Sequence, residues 1–210
     1  MNTDTAHSAQ DDLRMMRELA EEGRTRPLLG GREFVIFGAA IALASLLHAA
    51  LMEGILAWPP MALAAIWLGT MMAAVILAKA TRSGNVRPTT ANRVEIEVWR
   101  AGGYVIGALA VSIFAFAMLT QMQDDSALGF FLFTLVPPVV FGVYAIAMAA
   151  SSAAARDTTL RTYAVLSIAF LVATTLLAGT ATQYFVMAAG AVLVSILPGI
   201  VLMRRERNGG

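Results

Sequence analysis

Polar and apolar positions in this chain are not interleaved but arranged in blocks. Six stretches are apolar nearly all round: residues 34–52, 61–78, 101–120, 127–150, about 163–178, and 184–203. A helix rises 1.5 Å per residue, so roughly 20 residues cross about 30 Å of hydrocarbon. A soluble amphipathic helix would carry a polar stripe, which these lack. A membrane β-strand would alternate polar and apolar positions over about ten residues. In hydrocarbon each backbone N–H and C=O must be paired within the protein, which leaves helix as the conformation for such segments. The pattern predicts an all-α polytopic membrane protein with six transmembrane helices. The fifth segment is the shortest, with Arg161 just before it, so a tilted or partly interfacial helix is an alternative there.

The charges between the blocks predict an orientation. Arg14, Arg17, Arg24, Arg26 and Arg32 precede the first segment, and Lys79, Arg82, Arg87, Arg93 and Arg100 separate the second from the third. Arg156 and Arg161 separate the fourth from the fifth, and Arg204, Arg205 and Arg207 follow the sixth. With six crossings all of these fall on one side, while the opposite loops carry only Glu53, Asp124 and Asp125. Five or seven crossings would scatter the arginines over both faces. The positive-inside rule then puts both termini in the cytoplasm, N-in and C-in. The expected organisation is a cytoplasmic segment (1–32), a six-helix membrane domain (33–203) and a cytoplasmic tail (204–210). The helices form three consecutive hairpins. Gly38, Gly107 and Ser167 open loosely similar text in each, either a duplication or the chance likeness of Ala/Leu/Gly-rich sequence. Trp58, Trp99 and Tyr184 stand at segment ends as interfacial anchors, whereas Trp67 lies inside the second segment and reads as packing.

Composition narrows the function. The chain is 58% apolar and 14% charged, against about 25% charged in a soluble domain. Cysteine is absent, which removes disulfides, thiolate nucleophiles and Cys-ligated metal centres. The first 33 residues are polar and charged, so no cleavable signal peptide is expected and the first apolar segment should act as an uncleaved anchor.

Residues 11–22 are expected to form a short amphipathic helix, with Asp11 and Asp12 at its start and Gly23 at its end. Leu13, Met16 and Ala20 share one face. A helix of about twelve residues is marginal alone and needs a surface to lie on. That surface is its own bundle, the membrane interface or a partner protein. The run DDLRMMRELAEEG at 11–23, followed by PLLGG at 27–31, resembles the opening of uncharacterised multi-pass bacterial inner-membrane proteins. The resemblance covers about the first thirty residues. It implies a bacterial inner-membrane setting and no activity. The segment 81–100 is the longest internal one between apolar blocks. Thr89 or Thr90 suits a helix cap, yet residues 94–98 also alternate like a strand.

Ionisable residues inside a bilayer mark function by default, and here His48 is the one intramembrane candidate. Paired with Met52 it could hold Cu(I), but a neutral histidine bonded to a neighbouring helix accounts for it more simply. Pro137 and Pro138 fall within the fourth segment and Pro198 within the sixth, where each should kink or break the helix. Gly103 with Gly107, and Ser195 with Gly199, are small-xxx-small pairs that allow close helix packing, within the chain or in a homo-oligomer. No catalytic constellation, cofactor motif, metal cluster or basic nucleic-acid-binding domain is legible. The reading that survives is a non-enzymatic regulatory or scaffold protein in the lipid bilayer, with no cofactor and no nucleic acid. It would bind a cytoplasmic protein through the 11–23 helix and the 81–100 segment. The alternative is a permease or channel for a small uncharged or apolar solute, built on the kinked fourth helix.

Overall fold

Every long element is a helix in the computed structural model, which describes residues 14–15, 30–59, 62–81, 90–121 and 131–208, and no strand occurs among them. The helices are α1 (Gly31–Met52), α2 (Ala62–Ala80) and α3 (Thr90–Gln121), then α4 (Val136–Ala155) after a 3-10 turn at Phe133–Leu135. α5 (Thr158–Leu176) follows, then α6 (Ala181–Ala191), a π turn (Val192–Ile196) and α7 (Leu197–Asn208). Six spans are long and apolar enough to cross a membrane, with α6, the π turn and α7 acting as one. The fifth segment is a full 19-residue helix. The strand alternative at residues 94–98 is not adopted. They lie inside the 32-residue α3, because Glu95, Trp99, Gly102 and Ile106 recur at helical spacing and that face packs inward.

The connections are capped locally. Arg156 takes the left-handed conformation (φ 53°) that ends α4, and the Asp157 carboxylate accepts the Thr159 N–H at 2.8 Å to begin α5. Gly179, with φ 84°, makes the turn into α6.

α1 packs against α2 and against the whole sixth span, and α5 lies between α4 and α6. α3 packs on α4. Half of the fourth and sixth spans is buried, against 11% of the second and 17% of the third. α1, α4 and the sixth span therefore make the core, α5, at 22%, flanks α4, and α2 and α3 are the outermost helices. Phe141, Met148, Met187 and Val194 fill the interior with almost no exposure. Between helices in hydrocarbon the drive for this is close packing, not exclusion of water.

The closest crossing joins α1 to the sixth span. A Cβ added to Gly199 would lie 2.6 Å from the Gly31 carbonyl oxygen, and one on Gly38 would lie 2.8 Å from the Ser195 hydroxyl. Ser195 and Gly199 thus pack within the chain. Gly103 and Gly107 face open space, with no atom within 4 Å of an added Cβ among the described residues. Pro137 and Pro138 sit in the first turn of α4, just after the 3-10 turn, and Pro198 follows the π turn.

Proline supplies no N–H, so Pro137 and Pro138 leave the Thr134 carbonyl without a helical donor. At the end of α5 the Ala178 N–H turns to Thr175, which frees the Thr174 carbonyl. The wholly buried Gln183 amide serves both: Nε2 donates to Thr134 O at 2.6 Å and to Thr174 O at 3.0 Å. Its Oε1 accepts the Gly179 N–H at 3.3 Å. One side chain thereby ties the ends of α4, α5 and α6 together.

Replacing Gln183 by Leu should strand two carbonyls at about 1–3 kcal/mol each and lower the thermal midpoint in detergent, followed by circular dichroism. Gly199→Val should also lower it, by an overpacking cost of about 1–3 kcal/mol, because the nearest atom it meets is the Gly31 backbone carbonyl oxygen.

Candidate functional site

His48 lies on the buried side of α1. The Trp67 indole N–H of α2 can only donate, and it reaches His48 Nδ1 at 3.1 Å. Nδ1 is therefore bare and the neutral ring carries its proton on Nε2. The Tyr184 ring stacks on it with centroids 3.6 Å apart. His48 thus bridges α1, α2 and α6. Trp67 packs, as its position inside the helix suggests, and also donates, which the sequence reading did not include. Tyr184, at the segment end, is buried against His48. Met52, by contrast, is exposed at the end of α1. No group of three His, Cys, Asp or Glu side chains able to hold a metal occurs among the described residues. Met61, Met122, Asp124 and Asp125 lie outside them, as do Leu13, Met16 and Ala20. Of the expected amphipathic helix, Arg14 and Met15 are described and are helical.

A second polar cluster lies at the end that carries the arginines. Trp99 of α3 packs edge-on against Phe34 of α1 and Tyr144 of α4, each with centroids 4.8 Å apart. The Ser195 hydroxyl donates to the Phe34 carbonyl at 2.7 Å. Its single proton is thereby used, so the Tyr144 hydroxyl is the donor in the 3.2 Å contact between them. Ser195 belongs to the π turn, where the helix widens and turns this hydroxyl toward α1. Trp99 stands half-buried at the segment end, packed into the bundle by these two ring contacts.

Glu95 is the acidic residue that sequence reasoning missed. It lies one turn before Trp99 and is only 3% exposed. Its Oε1 is 3.5 Å from where a Gly30 side chain would begin, at the start of α1. Its Oε2 has no hydrogen-bond partner among the described residues, nor has Trp99 Nε1. Glu33 and Glu206 are the charges that act on it, both of its own sign. The start of α1 carries partial positive charge worth about 0.3–2 kcal/mol to a carboxylate. Burying an ion costs several kcal/mol, so the burial cost wins. The signal was present in the sequence: Glu95, Trp99, Gly102 and Ile106 form one stripe if α3 starts at Thr90. Leaving residues 94–98 between helix and strand hid it.

Around this cluster the charged end is held by two longer reaches. Arg32 of α1 donates to the Thr81 carbonyl after α2. Arg205 of α7 pairs with Asp157 and donates to the Thr159 hydroxyl at 3.2 Å. Burial pushes the Asp157 carboxyl up. The Thr159 N–H and hydroxyl and the Arg205 guanidinium outweigh this and hold it below its ordinary 3.8.

Comparison with family models, curated proteins and solved structures finds no match. Function therefore has to be argued from these residues alone.

Burial, with Glu33 and Glu206 adding to it, disfavours the charged form of Glu95, so folding at neutral pH has to protonate this acid; replacing it by Gln removes that cost and should raise the thermal midpoint at neutral pH. A fall would mean that the carboxylate is paired. Asp157 has a depressed pKa when folded, so its contribution is present at neutral pH and fades as pH falls through that folded value. Asp157→Asn should therefore be less stable than the native protein at pH 7. Denaturation at a series of pH values should show the gap closing in the acid range.

Proposed function

We propose that the protein is a non-enzymatic scaffold or regulator of a bacterial inner membrane, with both termini in the cytoplasm, that holds a cytoplasmic protein. The observation that carries this reading is α3, a single helix of 32 residues. At 1.5 Å per residue it is about 48 Å long, against roughly 30 Å of hydrocarbon. Its first turns project from the bilayer as a stiff extension of the bundle. The exposed Arg93, Val94, Glu97 and Arg100 ride on it, and Arg100 and Glu97 pair at 2.9 Å. A surface fixed in this way meets a partner without first losing loop entropy. The segment 11–23, whose sequence pattern puts Leu13, Met16 and Ala20 at helical spacing, is proposed as a second docking element.

A packed interior supports this reading over the permease. Phe141, Met148, Met187 and Val194 occupy the middle of the bundle. The carbonyl freed at Pro137–Pro138 is taken up by Gln183, and Pro198 follows the π turn within one continuous span. The orientation rests on the arginine side facing the cytoplasm.

Mild crosslinking in the native membrane, followed by purification, tests the proposal. A protein captured by the full chain should be lost on deleting residues 1–31 and weakened by Arg93→Glu with Arg100→Glu. Capture of nothing by the intact chain, together with solute flux that Pro137→Ala and Pro138→Ala abolish, would replace the scaffold by the permease.

A further inference from the structure

A shallow, largely open groove lies along the exposed face of α5, lined by Thr158, Arg161, Thr162, Val165, Leu166 and Ala169. These positions recur three and four apart, so they form one stripe of the helix. The stripe is ordered along its length. Two hydroxyls and a guanidinium occupy the end next to the other arginines, and apolar side chains follow it into the membrane-spanning part. From Arg161 to Ala169 the stripe covers roughly 12 Å at 1.5 Å per residue, the second half of it apolar. We propose that this groove binds one anionic phospholipid, with its phosphate on Arg161, Thr158 and Thr162 and an acyl chain along Val165, Leu166 and Ala169.

Charge complementarity supports that occupant. Arg161 is exposed and makes no ion pair among the described residues. The acid nearest along the chain, Asp157, is already engaged by Arg205 and the Thr159 N–H, so it opposes a phosphate less than a free carboxylate would. The same contact means that the start of α5 is capped from within. The lipid phosphate is thus assigned to the Arg161 turn, one step further along the helix. A water-soluble anion would use the polar end alone and leave the apolar run uncovered. A zwitterionic lipid would cover the run but bring a cation of its own toward Arg161.

Native mass spectrometry of the full-length protein in detergent tests the proposal, by titrating phosphatidylglycerol or phosphatidylcholine and reading the first bound lipid. Arg161→Gln should weaken phosphatidylglycerol about fivefold, the ratio that roughly 1 kcal/mol per surface cation corresponds to. It should leave phosphatidylcholine unchanged. Arg161→Lys should retain most of the preference, and Arg156→Gln, outside the groove, should retain all of it. Ala169→Phe, which fills the apolar run, should weaken both lipids. Circular dichroism checks that each variant is folded. The Arg161 pair decides the matter even if Ala169→Phe does not fold. Equal phosphatidylglycerol binding by Arg161→Gln and the native chain would overturn the site, as would an equal loss in Arg156→Gln.

Discussion

A backbone carbonyl freed inside an apolar bundle has no water to turn to, and this fold is organised around supplying the missing donors. Gln183 meets the demand at one end, where two prolines and the end of α5 release carbonyls within reach of a single amide. Ser195 does comparable work nearer the other end, joining the Phe34 carbonyl to the Tyr144 hydroxyl across three helices. Both side chains lie in the sixth span, which explains why that span sits at the centre. It presents the polar groups that tie α1, α4 and α5, and the small residues that let α1 come close.

The outer helices follow from what the core leaves over. α2 is held through α1, with the Trp67–His48 bond as its specific tie, and α3 is held through α4 and the Trp99 cluster. Their remaining faces are apolar and exposed, as lipid contact requires. The charged end differs from the rest in containing opposed demands. Glu95 is buried where its charge is costly, whereas the Asp157–Arg205 pair and the Arg32–Thr81 contact are exposed and tie neighbouring helices. A buried acid kept among like charges is the arrangement expected where stability has yielded to another requirement. It lies at the base of the projecting turns of α3, the turns assigned above to partner contact.

Much of this organisation was legible in the residues. The apolar blocks and the six spans follow from length and hydropathy, because hydrocarbon thickness sets helix length with little regard to context. The close pair Ser195 and Gly199 was legible because small residues four apart leave a helix few other uses. Gly103 and Gly107 have the same spacing yet face open space, since spacing records what a surface permits and not what meets it. Glu95 was hidden by a boundary. Once residues 90–100 are counted as helix its inward register is plain, but the alternation at 94–98 reads equally well as strand.

The sequence by itself determined the elements, because each transmembrane helix satisfies its own backbone and needs no partner to be recognised. It also determined the segregation of arginine to one set of loops. Only the tertiary structure decided that three spans form the core while the other three lie around it. It alone brought Gln183 to Thr134 and Thr174, Ser195 to Phe34, and His48 between Trp67 and Tyr184. Those contacts join residues from 9 to 161 positions apart along the chain. Nothing local marks such pairs, since a buried glutamine and a lipid-facing one look the same until the carbonyls that need it are in place.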